Sequence, residues 1–408
     1  MIFKEKLKSK SKIFLDGGNG SEIAKLGGDM SPAFAALSTI NSPDIVVKVH
    51  ENFINAGCDI ITANTFATNR HNLDCLNRAD ETDKFIVKSV ELAKKATINT
   101  GKENKIAIAG SLSNFFPLKE NEFVPNPKFV PSFKQEEKNY KEAAKLLKES
   151  GVDILVLEML LDINHSKILL NAALETGLPV WVGLSCCISK FDNKVVGRNF
   201  RAEKEKSLIY DENKYKEQPK FLPEDKIIPL EEIIKSLTNI GGDVYGIMHT
   251  WFNDSNEGLK IVKENWNGPI MFYPEIHKFD TSTHEAIITT TENEFATSLE
   301  ELIDDQIQIV GGCCGVNENH LKRLIIEADN IKFKSNKKNI YEFIYMHFIY
   351  FMGYIEDNRI FKNNLESKLK SFHDSHNANI THHKFFQLFS NKDYKYAEEK
   401  IKNLLKEM

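Results

Sequence analysis

The chain has 408 residues, of which 41% are hydrophobic and 27% are charged, and its formal net charge at pH 7 is -5. These proportions are typical of a globular protein with a large core, and they exclude collagen-like and low-complexity chains. A slightly acidic chain does not predict a nucleic-acid partner or an anionic membrane partner, because both favour a basic surface. The sequence also has no run of the ~18 apolar residues that a membrane span requires.

The cysteines indicate a reducing environment. There are six in the chain, too few for a disulfide scaffold of this length, and four of them form the adjacent pairs Cys186-Cys187 and Cys313-Cys314. The basic amino-terminal segment MIFKEKLKSKSK is not followed by an apolar run, so it is not typical of a secretory signal. We therefore expect a cytoplasmic protein whose cysteines are thiols or metal ligands.

Eight short apolar runs alternate with longer amphipathic segments. Each run is rich in Ile, Val and Leu and mostly apolar on both faces, which is typical of a buried parallel strand. The predicted strands span residues 12–16, 59–63, 105–110, 153–158, 179–184, 243–248, 269–272 and 306–310. Helices are predicted between them, for example over residues 140–150, 231–237 and 256–265.

A repeated loop pattern indicates how these elements connect. In NAGCDI, ESGVDI and NIGGDV a predicted helix ends at glycine and an aspartate opens the next strand. This is typical of the αβ loops of an alternating β/α chain. Eight repeats favour an α/β fold that closes into a (β/α)8 TIM barrel, and an open doubly wound sheet is the alternative. We predict a barrel over residues 1–335 and a helical C-terminal extension over residues 336–408.

Three segments do not fit the alternation. Residues 113–133 follow the third strand and are rich in phenylalanine and proline, so we predict that they cross the barrel mouth as a lid. Residues 189–229 are charged and lysine-rich, and no role is assigned to them. The extension contains an aromatic, apolar run that must be buried, which predicts either packing on the outside of the barrel or a homo-oligomer formed through the extension.

Chemistry in such a barrel lies at the carboxyl ends of the strands. The residues at those positions are, in strand order, Asp16, Asn64-Thr65, Ser111, Glu158, Ser185-Cys186, His249, Tyr273 and Cys313-Cys314. A chain that turns into solvent often carries Asn, Ser or Asp at these points. That explanation accounts less well for a histidine and two adjacent cysteines.

Cys313 and Cys314 are flanked by glycines on both sides, and glycines allow the sharp turn that brings neighbouring side chains to one point. Two thiolates and one further ligand would make a catalytic Zn²⁺ site with an open fourth position, and His249 stands at another strand end. The alternative is a pair of small buried cysteines, because adjacent cysteines are not a standard zinc motif. Cys186-Cys187 has no flanking glycines of this kind, and we interpret this pair as structural.

Six segments match a known family in order and approximate spacing: LDGGNGSE, NAGCDIITANTFATN, GSLSNFF, GVDILVLEML, PVWVGLSC and IVGGCCGV. On these segments the chain resembles the homocysteine S-methyltransferase family. The resemblance implies a (β/α)8 barrel with a catalytic zinc ion bound by Cys313 and Cys314. It also implies that Glu158 binds the amino group of homocysteine. The residues that the resemblance places around the same pocket are Asp16, Gly17, Thr65 and Ser111.

Two positions depart from the family pattern. The family's third zinc ligand is a cysteine after the sixth strand, and here His249 stands in its place. Imidazole is a good zinc ligand, but the site then has one negative charge fewer than a site of three cysteines. After the seventh strand the family often has Tyr-Pro-Asn, whereas this chain has Tyr273-Pro274-Glu275. The added carboxylate could change the charge preference for substrate.

The leading hypothesis is a zinc-dependent methyltransferase that moves a methyl group from a cationic donor to homocysteine, or to a similar small thiol, and forms methionine. A free thiol is mostly protonated near neutral pH, and coordination to zinc converts it to the reactive thiolate. The sequence does not specify the donor: betaine, a sulfonium compound and a methylated folate or corrinoid partner remain open. The alternatives are a metal-dependent hydrolase or lyase on the same site and a binding barrel that has lost zinc.

Overall fold

The computed structural model describes residues 2–30, 33–118, 125–189, 193–197, 228–279, 286–302, 306–326 and 328. Eight parallel strands form the central sheet: β1 (Ile13–Phe14), β2 (Ile60–Thr62), β3 (Ala107–Ser113), β4 (Ile154–Leu160), β5 (Val180–Leu184), β6 (Val244–Trp251), β7 (Ile270–Glu275) and β8 (Ile307–Val310). Strands that are consecutive in the chain are neighbours in the sheet, and β8 also pairs with β1. A parallel bridge between Leu15 and Ile60 joins β1 to β2. The predicted (β/α)8 barrel is therefore confirmed, and each predicted strand overlaps one observed strand.

Helices connect the strands and surround the barrel. They are α1 (Ile2–Lys8), α2 (Asn19–Lys25), α3 (Ser38–Asn41), α4 (Pro43–Ala56), α5 (Arg70–Leu73), α6 (Thr82–Asn99), α7 (Phe133–Glu149), α8 (Asn164–Leu174), α9 (Leu230–Thr238), α10 (Phe252–Asn265) and α11 (Glu292–Leu302). Residues 318–326 are also helical. Short 3₁₀ turns span Ala35–Leu37, Asp74–Leu76, Ala79–Glu81 and Pro127–Phe129. The three helices predicted above coincide with parts of α7, α9 and α10.

Two antiparallel hairpins follow barrel strands and were not predicted from the sequence. Cys186–Ile188 pairs with Val195–Gly197 after β5, and His277–Phe279 pairs with Ala286–Ile288 after β7. Both begin at the carboxyl end of the barrel. They extend the wall of the mouth beyond the eight strands.

The glycine–aspartate loops have the predicted geometry. Gly57 and Gly151 end helices with φ angles of 109° and 81°, a conformation that side-chain-bearing residues rarely adopt. Asp59, Asp153 and Asp243 then each exchange two hydrogen bonds with one residue of the preceding strand, at 2.7–2.9 Å. In each pair the aspartate donates its backbone N–H and its carboxylate accepts the N–H of the partner. These contacts fix the register of neighbouring strands at the amino-terminal end of the barrel.

The amino-terminal helix closes that same end. Phe3 is buried in the core cluster inside the barrel and packs edge-on against Trp181, with ring centroids 6.1 Å apart. Lys6 forms an ion pair with Asp59 at 2.6 Å. The basic segment that has no signal-like apolar run is thus a plug for the barrel, because Phe3 and Leu7 pack into the core while Lys4 and Lys8 stay exposed.

Several predictions concern residues outside this description. The lid predicted over residues 113–133 is described except for residues 119–124, and most of the segment 189–229 is not described. The extension 336–408, its role in a homo-oligomer and the domain boundary at residue 335 also lie outside the described residues, and they stay predictions. Within the described part of the chain, no helix has the length and apolar character needed to cross a membrane.

Candidate active site

Three acidic or hydroxyl side chains enter the barrel mouth because they continue the inward alternation of their strands. Ser111, Glu158 and Glu275 each lie two residues beyond an interior core residue of the same strand. Side chains two apart on a strand point to the same face, so all three point toward the barrel axis. Their exposed fractions are 1%, 7% and 3%, which places them in a largely dehydrated site.

His249 reaches the same place by a different route. The interior residues of β6 are Val244 and Met248, so strict alternation would point His249 away from the axis. The pairing of β6 with β7 shifts in register after Met248, and His249 has a φ angle of 45°. Histidine tolerates this conformation better than branched residues do. The local irregularity turns the imidazole inward, and it is buried there.

The loop after β8 depends on its glycines and on hydrogen bonds to neighbouring strand ends. A Cβ atom on Gly18 would lie 2.8 Å from the carbonyl oxygen of Cys313, and one on Gly311 would lie 2.8 Å from the Tyr273 ring. The N–H of Cys313 donates to the carbonyl oxygen of Pro274 at 2.8 Å. Side chains at these glycines would prevent the close backbone approach that presents the Cys313-Cys314 pair to the mouth. The glycines around the pair predicted such a turn.

These elements bring the three predicted metal ligands together. The Cys313 Sγ atom lies 3.2 Å from His249 Nδ1 and 3.8 Å from Cys314 Sγ. Glu275 joins them, and the donor atoms of His249, Glu275, Cys313 and Cys314 all lie within 4.8 Å of one another. Two sulfurs, an imidazole nitrogen and a carboxylate oxygen around one point form a donor set that fits zinc. We refer to these four residues as the donor cluster.

Glu158 lies beside the donor cluster and contacts one of its members. Its Oε2 atom lies 2.7 Å from His249 Nε2, and its Oε1 atom accepts a hydrogen bond from the Ser111 hydroxyl. Glu158 contacts Nε2 of His249, whereas the Cys313 sulfur lies nearer to Nδ1, at 3.2 Å, than to Nε2, at 3.8 Å. Glu158 therefore orients the imidazole, as carboxylates do for many metal-binding histidines. Each carboxylate oxygen has a second lone-pair direction, so these contacts leave room for a further donor.

The electrostatics of the donor cluster reflect its burial. Burial raises the pKa of the Cys313 thiol well above its ordinary value. The hydrogen bond that Cys313 donates lowers the pKa of Cys314 to about 6. Burial alone would lower the pKa of His249, but the hydrogen bond and the charge of Glu158 outweigh it and raise that pKa. The site thus concentrates acidic groups where water is scarce, which is a favourable place for a cation.

The other predicted pocket residues support the loop and the strand ends. Asp16 is fully buried and accepts hydrogen bonds from Thr62, Asn19 and Tyr273. Burial, the largest effect, raises the pKa of Asp16 to about 7. The carbonyl oxygen of Gly17 accepts the Tyr273 hydroxyl at 3.0 Å. Both residues therefore tie β1 to the end of β7.

Thr65 joins two neighbouring strand ends. Its hydroxyl donates to the Ser111 carbonyl at 2.9 Å and accepts the Ser111 N–H at 3.0 Å. The Thr65 hydroxyl is thus engaged by the backbone of Ser111. That double contact holds the Ser111 side chain under Glu158.

A group of phenylalanines lies against one side of the donor cluster. The ring centroid of Phe66 is 5.3 Å from that of His249, and Phe66 packs on Phe115 and Phe34 at 5.6 and 5.3 Å. Phe115 belongs to the predicted lid, and Phe34 is 36% exposed. A partly exposed aromatic group beside a buried polar site can hold an apolar or cationic group.

Cys186 and Cys187 do not join the site. Both are buried in the hairpin after β5, and the backbone N–H of Cys186 donates to the Thr250 hydroxyl at 3.0 Å. The single group of potential metal ligands in the described part of the chain does not include them. Their position agrees with the structural interpretation.

Sequence reasoning treated Glu275 only as a carboxylate at the mouth and did not place it among the metal donors. The signal that could have done so is the alternation Met271, Tyr273, Glu275, which continues the interior face of β7 to the level of the cysteines. The inward turn of His249 had no comparable signal, because it depends on a local shift in strand pairing.

Comparisons with known proteins agree with this geometry. Residues 13–326 match the model of the family described as homocysteine S-methyltransferase. The chain belongs to the homocysteine S-methyltransferase family. It is an enzyme of the methyltransferase class, which decides against the hydrolase, lyase and non-catalytic alternatives.

Relatives in this family are distant but cover most of the chain. Betaine-homocysteine S-methyltransferase from Drosophila melanogaster is 24% identical over 347 residues, which cover 78% of this chain and 94% of the relative. Selenocysteine methyltransferase from Astragalus bisulcatus is 22% identical over 330 residues, covering 73% and 87%. Homocysteine S-methyltransferase 2 from Zea mays is 19% identical over 337 residues, covering 77% and 88%.

Among solved structures, the metallated form of the homocysteine methyltransferase MmuM from Escherichia coli superposes with a TM-score of 0.57. The two chains are 15% identical, and the match covers 79% of this chain and 98% of MmuM. At this identity the likeness supports the barrel fold alone.

Proposed function

We propose that the protein is a zinc-dependent S-methyltransferase that transfers a methyl group from a cationic donor to homocysteine and forms methionine. One observation carries the proposal: Cys313, Cys314 and His249 converge in the mouth of a barrel that belongs to this family. The relatives named for homocysteine and betaine support the substrate class. Selenocysteine methyltransferase, another relative, indicates that a similar small thiol or selenol is the nearest alternative acceptor.

Zinc is the metal that the donor set favours. Thiolate and imidazole ligands suit zinc, whereas magnesium and calcium prefer oxygen ligands alone. When bound, zinc lowers the pKa of a coordinating thiol so that the sulfur is present as thiolate near neutral pH. Homocysteine needs this help, because an unperturbed thiol has a pKa of ~8.5 and is mostly protonated at pH 7.

Glu158 and Ser111 supply the polar anchor for the acceptor. The ammonium group of homocysteine can meet the remaining lone pairs of the Glu158 carboxylate, which the Ser111 hydroxyl already holds in place. The anchor fixes the position of the amino group, and the carbon chain of homocysteine then extends the thiol toward the cysteine end of the site. Holding both reactants in line reduces the entropy cost of a two-substrate displacement.

The phenylalanine group beside His249 supplies a surface for the methyl donor. A quaternary ammonium or a sulfonium centre is attracted to aromatic faces within ~6 Å. Phe34 is 36% exposed, while Phe66 is half-buried and Phe115 is buried. This arrangement favours a small cationic donor over a folate- or corrinoid-bound methyl group.

The test is a donor screen on purified protein with parallel metal analysis. Homocysteine is offered with betaine, with a methyl sulfonium compound and with a methylated folate, and methionine is quantified. We expect about one zinc per chain and methionine formation with one cationic donor. Metal-free protein that is fully active, or zinc-loaded protein that methylates no thiol with any donor, would overturn the proposal.

A further inference from the structure

We propose that Asn114 and Tyr140 are positioning residues for the acceptor. Their side chains meet between the barrel and its outer helices, and they hold the backbone of Glu158 so that its carboxylate points at the amino group of homocysteine. The inference rests on the proposed function, in which Glu158 is the polar anchor of the acceptor. Both residues act through Glu158 and belong neither to the donor cluster nor to the phenylalanine group.

Strand β4 is irregular where it carries Glu158. Its pairing with β5 is regular up to Leu157 and shifts before Leu160. Met159 lies inside this interval and has a φ angle of 58°, a conformation that residues other than glycine rarely adopt. Backbone strain of this kind persists only where the surrounding structure holds it in place. The backbone at Glu158 therefore depends on contacts from its other neighbour, β3.

The contact on that side comes from Asn114, which directly follows β3. The pairing of β3 with β4 continues without a shift until Ser113 lies opposite Glu158. The N–H of Asn114 then donates to the carbonyl oxygen of Glu158 at 3.0 Å. The position of Asn114 thus sets the backbone of Glu158, and with it the direction in which the carboxylate points.

Two helices fix Asn114 in turn. Its Nδ2 atom donates to the Tyr140 hydroxyl of α7 at 3.2 Å and to the His165 carbonyl of α8 at 3.4 Å. Its Oδ1 atom accepts the Ser166 hydroxyl of α8 at 3.3 Å. The Tyr140 hydroxyl also donates to the carbonyl oxygen of Ser113 at 2.8 Å. Tyr140 therefore holds both the side chain of Asn114 and the peptide group before it.

The burial of this network indicates a role beyond packing. Asn114 is 4% exposed and Tyr140 is fully buried. The layer between a parallel barrel and its helices is normally filled by apolar side chains, and polar groups in it are costly unless they are hydrogen-bonded. A connected polar network is rigid, and rigidity is what the anchor needs beside a strained residue.

The experiment compares Tyr140→Phe with Tyr245→Phe, and both substitutions remove one hydroxyl and keep the ring. Tyr245 is the matched control because it is also fully buried and its hydroxyl donates to a backbone carbonyl, that of Gly241, at 2.5 Å. It lies near the start of β6, at the opposite end of the barrel from the site. Calorimetry on the zinc-loaded proteins measures binding of homocysteine and of 4-mercaptobutanoate, which is the same thiol without the amino group.

We expect both variants to lose about 2–4 °C in Tm, since each leaves a buried carbonyl without its donor. Only Tyr140→Phe should weaken homocysteine binding, by about 5–10-fold, the effect of one hydrogen bond. Its affinity for 4-mercaptobutanoate should stay within about twofold of the parent, because that thiol does not use the anchor. In turnover the KM for homocysteine should rise by the same factor, with kcat changed less than about twofold.

Ser166→Ala is a second, milder variant that also serves if Tyr140→Phe does not fold. It removes only the hydroxyl that donates to Asn114, and it should weaken homocysteine binding by about two- to threefold. The affinity for 4-mercaptobutanoate should again match that of the parent.

Three results would overturn the inference. They are unchanged homocysteine affinity in Tyr140→Phe and Ser166→Ala, an equal loss for both thiols, and an equal loss of homocysteine affinity in Tyr245→Phe. In each case a zinc-loaded parent that methylates homocysteine leaves the proposed function standing. A parent that binds homocysteine no better than 4-mercaptobutanoate would contradict the role of Glu158 in the proposed function, and the inference with it.

Discussion

At the scale of single residues, we propose two tasks for Glu158 where the sequence indicated one. Family resemblance assigns it to the amino group of homocysteine. The structure adds the 2.7 Å contact to His249 Nε2, which fixes the ring that faces Cys313 through its other nitrogen. The two tasks are compatible because the carboxylate has lone pairs on both oxygens. They also mean that substrate anchoring and metal orientation depend on one side chain.

Replacing Glu158 by glutamine should therefore affect both tasks. We expect the KM for homocysteine to rise by about 30-fold, which corresponds to about 2 kcal/mol for a buried ammonium left without its anion. Zinc affinity should fall by ~10–100-fold, as for other partners of metal-binding histidines. Steady-state kinetics at saturating zinc and chelator competition separate the two effects.

The control for this variant is Asp162→Asn, which removes the charge of another buried carboxylate, just before α8 and outside the donor cluster, and should change neither quantity. If Glu158→Gln raises KM but leaves zinc affinity unchanged, the carboxylate does not orient His249. If the variant no longer folds, Glu158 is structural and its assignment to substrate fails.

At the scale of elements, the chemistry depends on how closely the loop after β1 approaches the loop after β8. A Cβ atom on Gly17 would lie 2.5 Å from the Phe53 ring and even closer to the Val316 carbonyl. The N–H of Gly18 donates to that same carbonyl at 2.9 Å. The glycines of the first loop are thus required by the position of the cysteine loop, and the contact is between backbone atoms that cannot rotate away.

Gly17→Ala should push the two loops apart. We expect a loss of about 1–3 kcal/mol in the free energy of unfolding, the usual cost of overpacking, together with weaker zinc binding. Gly20 provides a control on the same segment, because a Cβ atom there meets nothing within 4 Å. Gly20→Ala lies in α2 and should be neutral or stabilising by ~0.5–1 kcal/mol. Denaturant unfolding of both variants checks this, and a Gly17→Ala variant as stable as Gly20→Ala would contradict it.

Elements of the barrel were predictable to different degrees for physical reasons. The eight strands could be predicted because buried parallel strands are continuous apolar runs, and the loops because glycine and aspartate have defined roles in them. The plug formed by α1 could not, since a short amphipathic helix such as IFKEKLK has no distinctive pattern. The irregular ends of β4 and β6, where Met159 and His249 have positive φ angles, depend on strand pairing that no local sequence encodes.

At the scale of the whole molecule, the two ends of the barrel have separate tasks. The amino-terminal end holds the aspartate contacts between strands and the plug of α1, and the carboxyl end holds the donor cluster. Substitutions at the first end should change stability, and substitutions at the second should change metal binding and catalysis. Buried histidines on the outer helices add a further feature, because they make the stability of the fold depend on pH.

His50 on α4 should contribute to unfolding in acid. It is fully buried, its ring nitrogens have no hydrogen-bond partner among the described residues, and burial lowers its pKa to about 4. In the unfolded chain the pKa is ~6.5. Below pH 6.5 the unfolded state therefore binds a proton that the folded state does not. Stability is retained above that pH and falls by on the order of 3 kcal/mol as pH approaches 4.

His50→Leu removes the titrating group and keeps the side chain apolar. The difference in unfolding free energy between the variant and the parent, measured by denaturant unfolding from pH 7.5 to pH 4, should grow in favour of the variant as pH falls. Other acidic and basic groups cancel in this difference. Two curves that stay parallel over the whole range would show that His50 does not contribute.

The central claim is that Cys313, Cys314 and His249 form one zinc site, and zinc occupancy of purified variants at neutral pH tests it most directly. We predict about one zinc per chain in the parent, none in Cys313→Ala, and sharply reduced zinc in His249→Ala, which leaves one protein ligand fewer. His249→Cys supplies a third thiolate and should retain zinc, whereas Cys186→Ala should match the parent. Equal occupancy in the parent, His249→Ala and Cys313→Ala would contradict the account, because the metal would then be bound elsewhere.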